Sequence, residues 1–94
     1  MAEEPVNEQW RTERDRLARA EVMARSADGR VRVKATSGAR VTALRLDDGV
    51  LRRYDTGALS DLITRTVRDA QMRAHDTYVE ALEQLDPATG QPRR

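Results

Sequence analysis

The spacing of apolar and polar positions changes along the chain. From Arg30 to Thr36 the two kinds alternate strictly, with basic residues on one side and small or branched apolar residues on the other. Such alternation is typical of a strand with one buried face. Arg40 to Leu46 repeats it, and Ser37-Gly38 between the two segments fits a two-residue hairpin turn. The pattern therefore predicts a β-hairpin with a basic open face.

The length of this turn decides which residues face each other across the hairpin. With a two-residue loop, Arg30 lies opposite Arg45 on the open face. Like charges directly opposite each other destabilise a sheet. The register therefore predicts an anion or a carboxylate beside the pair, and Asp28 and Asp47 are the carboxylates nearest in sequence.

In the second half of the chain, apolar residues recur at steps of three and four, which is typical of an amphipathic helix. We predict that this helix begins with Asp55 or Thr56 as its N-cap and runs to about Leu85. Its apolar stripe consists of Leu59, Leu62, Ile63, Val67, Ala70, Ala74, Tyr78, Ala81, Leu82 and Leu85. About 30 residues span about 45 Å, whereas the strands of a small sheet span about 20 Å. The far half of the helix must therefore pack on the first helix or on another subunit.

The other segments complete an α+β order of α-β-β-(β)-α, with a small antiparallel sheet and two helices. Val6 to about Ala27 lacks glycine and proline and predicts a first helix with a thin apolar stripe. Val50 to Tyr54 is a candidate for a short third strand. Residues 1–5 are expected to be a disordered N-terminus, 6–86 a single domain and 87–94 a flexible tail.

The composition predicts a thin core. Hydrophobic residues make up 38% of the 94 residues and aromatic residues 3%, with no phenylalanine. Small domains with little apolar material are often stabilised by oligomerisation, so we expect a dimer. The absence of cysteine excludes disulfides and thiol chemistry and fits the cytoplasm. No apolar run is long enough to span a bilayer and the N-terminus has no signal-peptide pattern, so no membrane association is expected.

The charges are segregated along the chain, although the net charge is only +1. From Arg11 to Arg53, twelve basic residues face six acidic ones, a local excess of +6. From Asp55 to Asp86, three arginines face seven acidic residues, a local excess of −4. A segregated chain of this kind can present a face that binds polyanions. The alternative is a solvated surface whose charges pair with their neighbours.

No motif for catalysis, metal or cofactor binding is found, and we expect no enzyme activity. The single histidine, His75, has no cysteine or second histidine to complete a metal site. Asp47-Asp48-Gly49 is typical of a turn, and no glycine-rich phosphate loop occurs. Trp10 is expected to be a packing anchor rather than a platform for a base.

The order and spacing of these segments resemble the YbaB/EbfC family over about residues 6–85. Asp28 to Leu51 is similar to the family pattern of Gly, V-x-V-x-x-x-G and a second strand that ends in a branched residue and Asp. Ala58 to Ala70 is similar to the helix that carries L-x-D-L and A-x-N-D-A. Arg68 stands where the family usually has Asn, and Asp47-Asp48-Gly49 stands where Asp-Pro is usual.

The resemblance implies a tweezer-like homodimer of the bacterial nucleoid that binds DNA with little sequence preference. Arginine is well suited to phosphate contacts. We expect DNA contacts at Arg11, Arg14, Arg19, Arg25, Arg30, Arg32, Lys34, Arg40, Arg52 and Arg53. We expect the dimer interface at Trp10, Leu17, Val67, Ala70, Ala74, Tyr78 and Leu82.

An alternative function remains open at this point. The segment Leu44 to Arg53 resembles actinobacterial, EspL-like members of the family, which are encoded beside type VII secretion systems. The near-zero net charge and the acidic second helix suit a protein-interaction or accessory factor that does not bind DNA itself. In that case the distal stripe, from Val67 to Leu85, is expected to bind a partner helix.

Overall fold

The computed structural model describes residues 7–93. The predicted N-terminal segment 1–5 and the predicted start of the first helix at Val6 lie outside the described residues. The elements are α1 (Glu8–Arg19), β1 (Val22–Arg25), β2 (Val31–Ala35), β3 (Val41–Leu46), α2 (Val50–Arg53) and α3 (Thr56–Glu83). The α+β class, the small antiparallel sheet and the long C-terminal helix are confirmed.

The predicted first helix is too long, because its last third forms a strand. α1 ends at Arg19, and Ala20 has an extended backbone with ψ of 134°. Val22 to Arg25 then pairs with β2 as an antiparallel neighbour. The third strand of the sheet is therefore β1, which makes β2 the central strand in the order β1-β2-β3.

The candidate third strand at Val50 to Tyr54 is also wrong, since this segment is the single helical turn α2. Its backbone hydrogen bonds are local: Arg53 N–H donates to the Gly49 carbonyl and Tyr54 N–H to the Val50 carbonyl. The turn places Val50 in the core, where only 2% of its surface is exposed.

The hairpin between β2 and β3 is shifted by two residues from the predicted register. Arg32, not Arg30, lies opposite Arg45, and a bulge at Lys34/Ala35 lengthens the connection. Thr36 N–H donates to the Arg40 carbonyl across the loop, and Ala39 has a left-handed backbone with φ of 61°. Because this shift is even, the residues from Ala43 to Leu46 keep their predicted faces, whereas Val41, which strict alternation places on the open face, pairs with the buried Ala35 beyond the bulge.

The core lies between α3 and one face of the sheet. Ala24, Val31, Val33 and Ala35 from the strands meet residues of α2 and α3, and the largest fully buried side chains are two valines. α3 packs on β1 and β2 rather than on β3. Asp55 is its N-cap, as one of the two predicted alternatives, and its carboxylate accepts a hydrogen bond from Ala58 N–H at 2.8 Å.

α3 also packs on α1, which is one of the two partners predicted for its far half. The residues expected to form a tail fold back along this pair. Leu85 forms an isolated antiparallel bridge with Pro92, and Asn7 N–H donates to the Pro87 carbonyl at 3.2 Å. The resulting molecule is elongated, with extents of 58 × 29 × 15 Å.

Gly90 makes the tightest contact between the C-terminal segment and α1. A Cβ at this position would lie 2.5 Å from the Trp10 backbone nitrogen, and its φ of +72° is strained for other residues. We expect Gly90→Ala to destabilise the protein by about 1–3 kcal/mol and to expose Trp10. A red shift of fluorescence from the single tryptophan and a thermal melt measure both effects.

Gly38→Ala is the matched control for this prediction. Gly38 has no left-handed backbone, and a Cβ there would meet nothing within 4 Å. Equal melting temperatures for the two alanine variants would contradict the prediction that the close contact of Gly90 with α1 is needed for stability.

Candidate nucleic-acid interface

The open face of the sheet carries most of its polar side chains, because β1 and β2 bury their other face against α3. The register places Arg25 opposite Arg32 and Arg32 opposite Arg45, so that three arginines cross the sheet in one row. We call these three residues the arginine row. Lys34 lies in the neighbouring row, opposite Met23 and Ala43.

Arg45 is the functional candidate that the sequence analysis did not include. The signal was present in the alternation of β3, which assigns Arg45 to the same face as the predicted contacts Arg32 and Lys34. The wrong register obscured it, since it paired Arg45 with Arg30 at the edge of the hairpin. The predicted carboxylate beside such a pair is present, because Asp47 accepts a hydrogen bond from Arg32 Nη2 at 3.3 Å.

A second basic site forms where the hairpin loop meets the end of α1. Ser37 donates a hydrogen bond to the Ala18 carbonyl at 3.4 Å, and Gln71 of α3 donates to the Ala39 carbonyl at 2.9 Å. These bonds hold the loop, so that Arg19 and Arg40 line one surface depression of about 480 Å³. Both side chains are exposed.

A third group of cations surrounds Asp28 at the opposite end of the hairpin. Its carboxylate lies 3.7 Å from Arg30 Nε and 3.6 Å from Arg53 Nε. It also accepts hydrogen bonds from the hydroxyls of Tyr54 and Ser26 and from Arg30 N–H. The predicted contacts Arg30 and Arg53 are therefore partly neutralised.

These hydrogen bonds, led by that of the Tyr54 hydroxyl, lower the pKa of Asp28 to about 2. Its unfolded-state pKa is about 3.9, so the unfolded chain binds more protons between these two values. The stabilisation by Asp28 is thus fully present above about pH 4 and is lost as the pH falls through 2.

We therefore expect Asp28→Asn to lower the thermal midpoint at neutral pH, and the difference from wild type to shrink below pH 4. Circular dichroism melts over a pH series measure it. Asp48→Asn, at an exposed turn position, is the control and should stay close to wild type throughout. A difference between Asp28→Asn and wild type that is constant down to pH 2 would contradict this linkage.

The remaining predicted DNA contacts are on the helices. Arg14 lies over the Trp10 ring at 5.2 Å from its centroid and pairs with Asp15 at 3.2 Å. Arg11 and Arg52 are exposed. The structure therefore brings together Arg25, Arg32 and Lys34 on the sheet. It also brings together Arg19 and Arg40 at the loop, and Arg30 and Arg53 around Asp28. Arg11, Arg14 and Arg52 lie apart from these groups.

The predicted dimer residues divide into two groups. Ala70 and Ala74 are at most 2% exposed, so their apolar surface is already used within one chain. The others are half-buried: Trp10, Leu17, Val67, Tyr78 and Leu82. The exposed apolar side chains include Leu44 and Leu46 of β3, which α3 does not cover.

Residues 7–93 lack the features of a metal site and of a membrane-spanning helix. No group of three or more potential metal ligands occurs there. None of the helices in this range combines the length and apolarity needed to cross a membrane.

Comparison with known proteins assigns the family. A search of curated proteins finds no match. The sequence profile of the YbaB/EbfC DNA-binding family, whose members are nucleoid-associated, matches residues 2–89 and so covers nearly the whole chain. The exposed basic side chains described above are consistent with that match. The chain thus belongs to the YbaB/EbfC DNA-binding family.

Proposed function

We propose that the protein is a nucleoid-associated homodimer that binds DNA mainly through the phosphate backbone, with low sequence specificity. Family membership supports DNA as the partner and the bacterial nucleoid, in the cytoplasm, as the location. The proposal concerns binding and not catalysis.

The observation that supports DNA binding most directly is that most cations from the first half of the chain form no ion pair. Among the described residues of the basic half, 11–53, the cations without an ion pair are Arg11, Arg19, Arg25, Lys34, Arg40, Arg45 and Arg52. The pairs that do form use first-half carboxylates, apart from Arg73 with Asp69 within α3. In the described residues, the acidic half of the chain therefore does not neutralise the basic half.

The positions of these cations support low specificity. Base edges are read by side chains on an element that enters a groove, whereas scattered arginines on strands and loops contact phosphates. α1 has 12 residues, and its Arg14 and Arg16 side chains pair with neighbouring carboxylates. The helix therefore has no clear face for contacts with base edges.

The homodimer is supported by the uncovered side of β3. Leu44 and Leu46 are on the core side of the sheet, yet 47% and 41% of their surfaces are exposed. A second copy that covers β3 would bury these leucines, and the half-buried residues Leu17, Val67, Tyr78 and Leu82 are candidates for its rim. Two copies would also double the number of phosphate contacts.

Fluorescence anisotropy with a labelled duplex over a salt series tests the proposal. We expect binding at micromolar or lower concentration in low salt, with log K falling linearly against log salt. AT-rich and GC-rich duplexes of equal length should bind within a few-fold of each other. No binding at micromolar dimer in low salt would refute the proposal.

The second candidate function is a protein-interaction or accessory role without DNA binding. It is favoured by the exposed acidic side chains Asp76, Glu80 and Glu83 near the end of α3. Pull-down from cells after nuclease treatment separates the two functions. Recovery of a stoichiometric partner, together with a failed anisotropy experiment, would favour this candidate.

A further inference from the structure

The arginine row places like charges opposite one another on both sides of the central strand. Arg32 faces Arg25 on β1 and Arg45 on β3, and neighbouring strands are only about 4.8 Å apart. Like charges in directly opposite positions destabilise a sheet. The sequence therefore keeps an unfavourable arrangement on a face that solvent can reach.

One carboxylate compensates only part of this charge. Asp47 lies 3.3 Å from Arg32 Nη2, but both side chains are more than 40% exposed, so solvent screens the pair. Arg25, Lys34 and Arg45 have no ion pair in the described residues. Arg32 Nε is buried and has no hydrogen-bond partner there. A donor of this kind calls for an acceptor that the chain does not supply.

The surface beside the row is concave. Met23, Arg32, Lys34, Ala43 and Arg45 line a depression of about 290 Å³. Sites for whole small molecules occupy about 300–1,000 Å³, so this depression suits a single small group. Guanidinium groups match the oxygens of phosphate in a bidentate manner, and an ammonium group such as that of Lys34 adds a point charge.

We infer that the open face of the sheet is a binding site for one phosphate group, held by Arg32 and Arg45 of the arginine row together with Lys34. The inference rests on the proposed function only for the source of the phosphate, which is either the DNA backbone or a free phosphate compound. Bound phosphate would supply the missing acceptor and relieve the repulsion within the row.

Titration of the full chain with inorganic phosphate tests the site, with chloride at matched ionic strength as the reference. The readout is the NMR signal of the arginine Nε–H groups. We expect a saturable shift of the Arg32 signal in wild type and in the control variant Arg68→Gln, which removes an exposed arginine of α3. Arg45→Gln should weaken phosphate binding about tenfold. The absence of a saturable shift, or its full retention in Arg45→Gln, would overturn the inference.

Thermal melts distinguish a binding role of Arg45 from a structural one. In low salt without phosphate, we expect Arg45→Gln to melt at or above the wild-type temperature, because a repulsive neighbour has been removed. Addition of phosphate should raise the midpoint of wild type more than that of the variant. A variant that is less stable than wild type without phosphate, and gains as much from it, would contradict the inference.

Duplex DNA identifies the source of the phosphate. If Arg45→Gln also weakens DNA binding about tenfold while Arg68→Gln does not, the site holds a backbone phosphate. If only phosphate binding is lost, it holds a free phosphate compound. A phosphate shift without DNA binding would refute the proposed function but support the phosphate site. DNA binding without a phosphate shift would support the proposed function and refute the phosphate site.

Discussion

Replacement of both Arg19 and Arg40 by glutamine is expected to reduce the affinity for duplex DNA at least roughly a hundredfold in low salt. These side chains line one depression and have no ion pair in the described residues. A homodimer would lose four phosphate contacts. Each lost contact lowers the slope of log K against log salt by about 0.9, so the slope should fall by about 3.6.

The slope of log K against log salt is more informative than the affinity itself, because it distinguishes two causes of weaker binding. A variant that is merely less stable binds more weakly but keeps the number of counterions released for each complex. A variant that lacks phosphate contacts releases fewer. Anisotropy over a salt series therefore separates loss of contacts from loss of folded protein.

Arg16→Gln combined with Arg73→Gln is the matched control, because it removes the same total charge. Arg16 lies 2.7 Å from Glu13 and Arg73 lies 3.2 Å from Asp69, so both are compensated within their own helices. We expect this variant to retain nearly the wild-type slope. Equal losses for the two double variants would show that total charge, and not the position of the unpaired cations, determines the binding.

The features that local patterns determine could be predicted from the sequence. Alternation identified β2 and β3 and the side of the sheet on which their residues lie, except for Val41 at the bulge. The three- and four-residue spacing identified α3, and the Asp55 cap follows from the short range over which a carboxylate reaches a helix N-terminus. These features need only a few neighbouring residues to be recognised.

The errors arise where distant parts of the chain decide the structure. Val22 to Arg25 has no breaker before it, and its residues are compatible with a helix. It becomes a strand because it pairs with β2, with Ala24 opposite Val33 in the core. Tertiary pairing overrides intrinsic propensity in such cases.

The candidate site was also predictable only where local patterns determine it. The basic face of the hairpin was predictable, but its composition was not, because the arginine row needs both the unpredicted strand β1 and the shifted register. The longer hairpin loop and the bulge at Lys34/Ala35 each supply one residue of that shift. A two-residue change in register keeps the faces of Ala43 to Leu46 but exchanges their partners across the sheet, so Arg45 lies opposite Arg32.

Replacement of both Leu44 and Leu46 by aspartate is expected to convert the proposed dimer into a monomer of 10.6 kDa. About half of each leucine is exposed in one chain, and a two-fold interface would bury four of these surfaces. Burial of a whole leucine side chain contributes about 1.5–3 kcal/mol, so the four halves contribute about 3–6 kcal/mol. The dimer dissociation constant should therefore rise at least roughly a hundredfold.

Sedimentation equilibrium over a concentration series measures this change, with circular dichroism to verify that the variant is folded. Met72→Asp is the control, since Met72 is 66% exposed on α3 and does not belong to the predicted apolar stripe. DNA affinity is not the readout for this prediction, because the two aspartates flank Arg45 and place negative charge beside a proposed phosphate contact. A variant that stays dimeric would place the interface elsewhere than on β3.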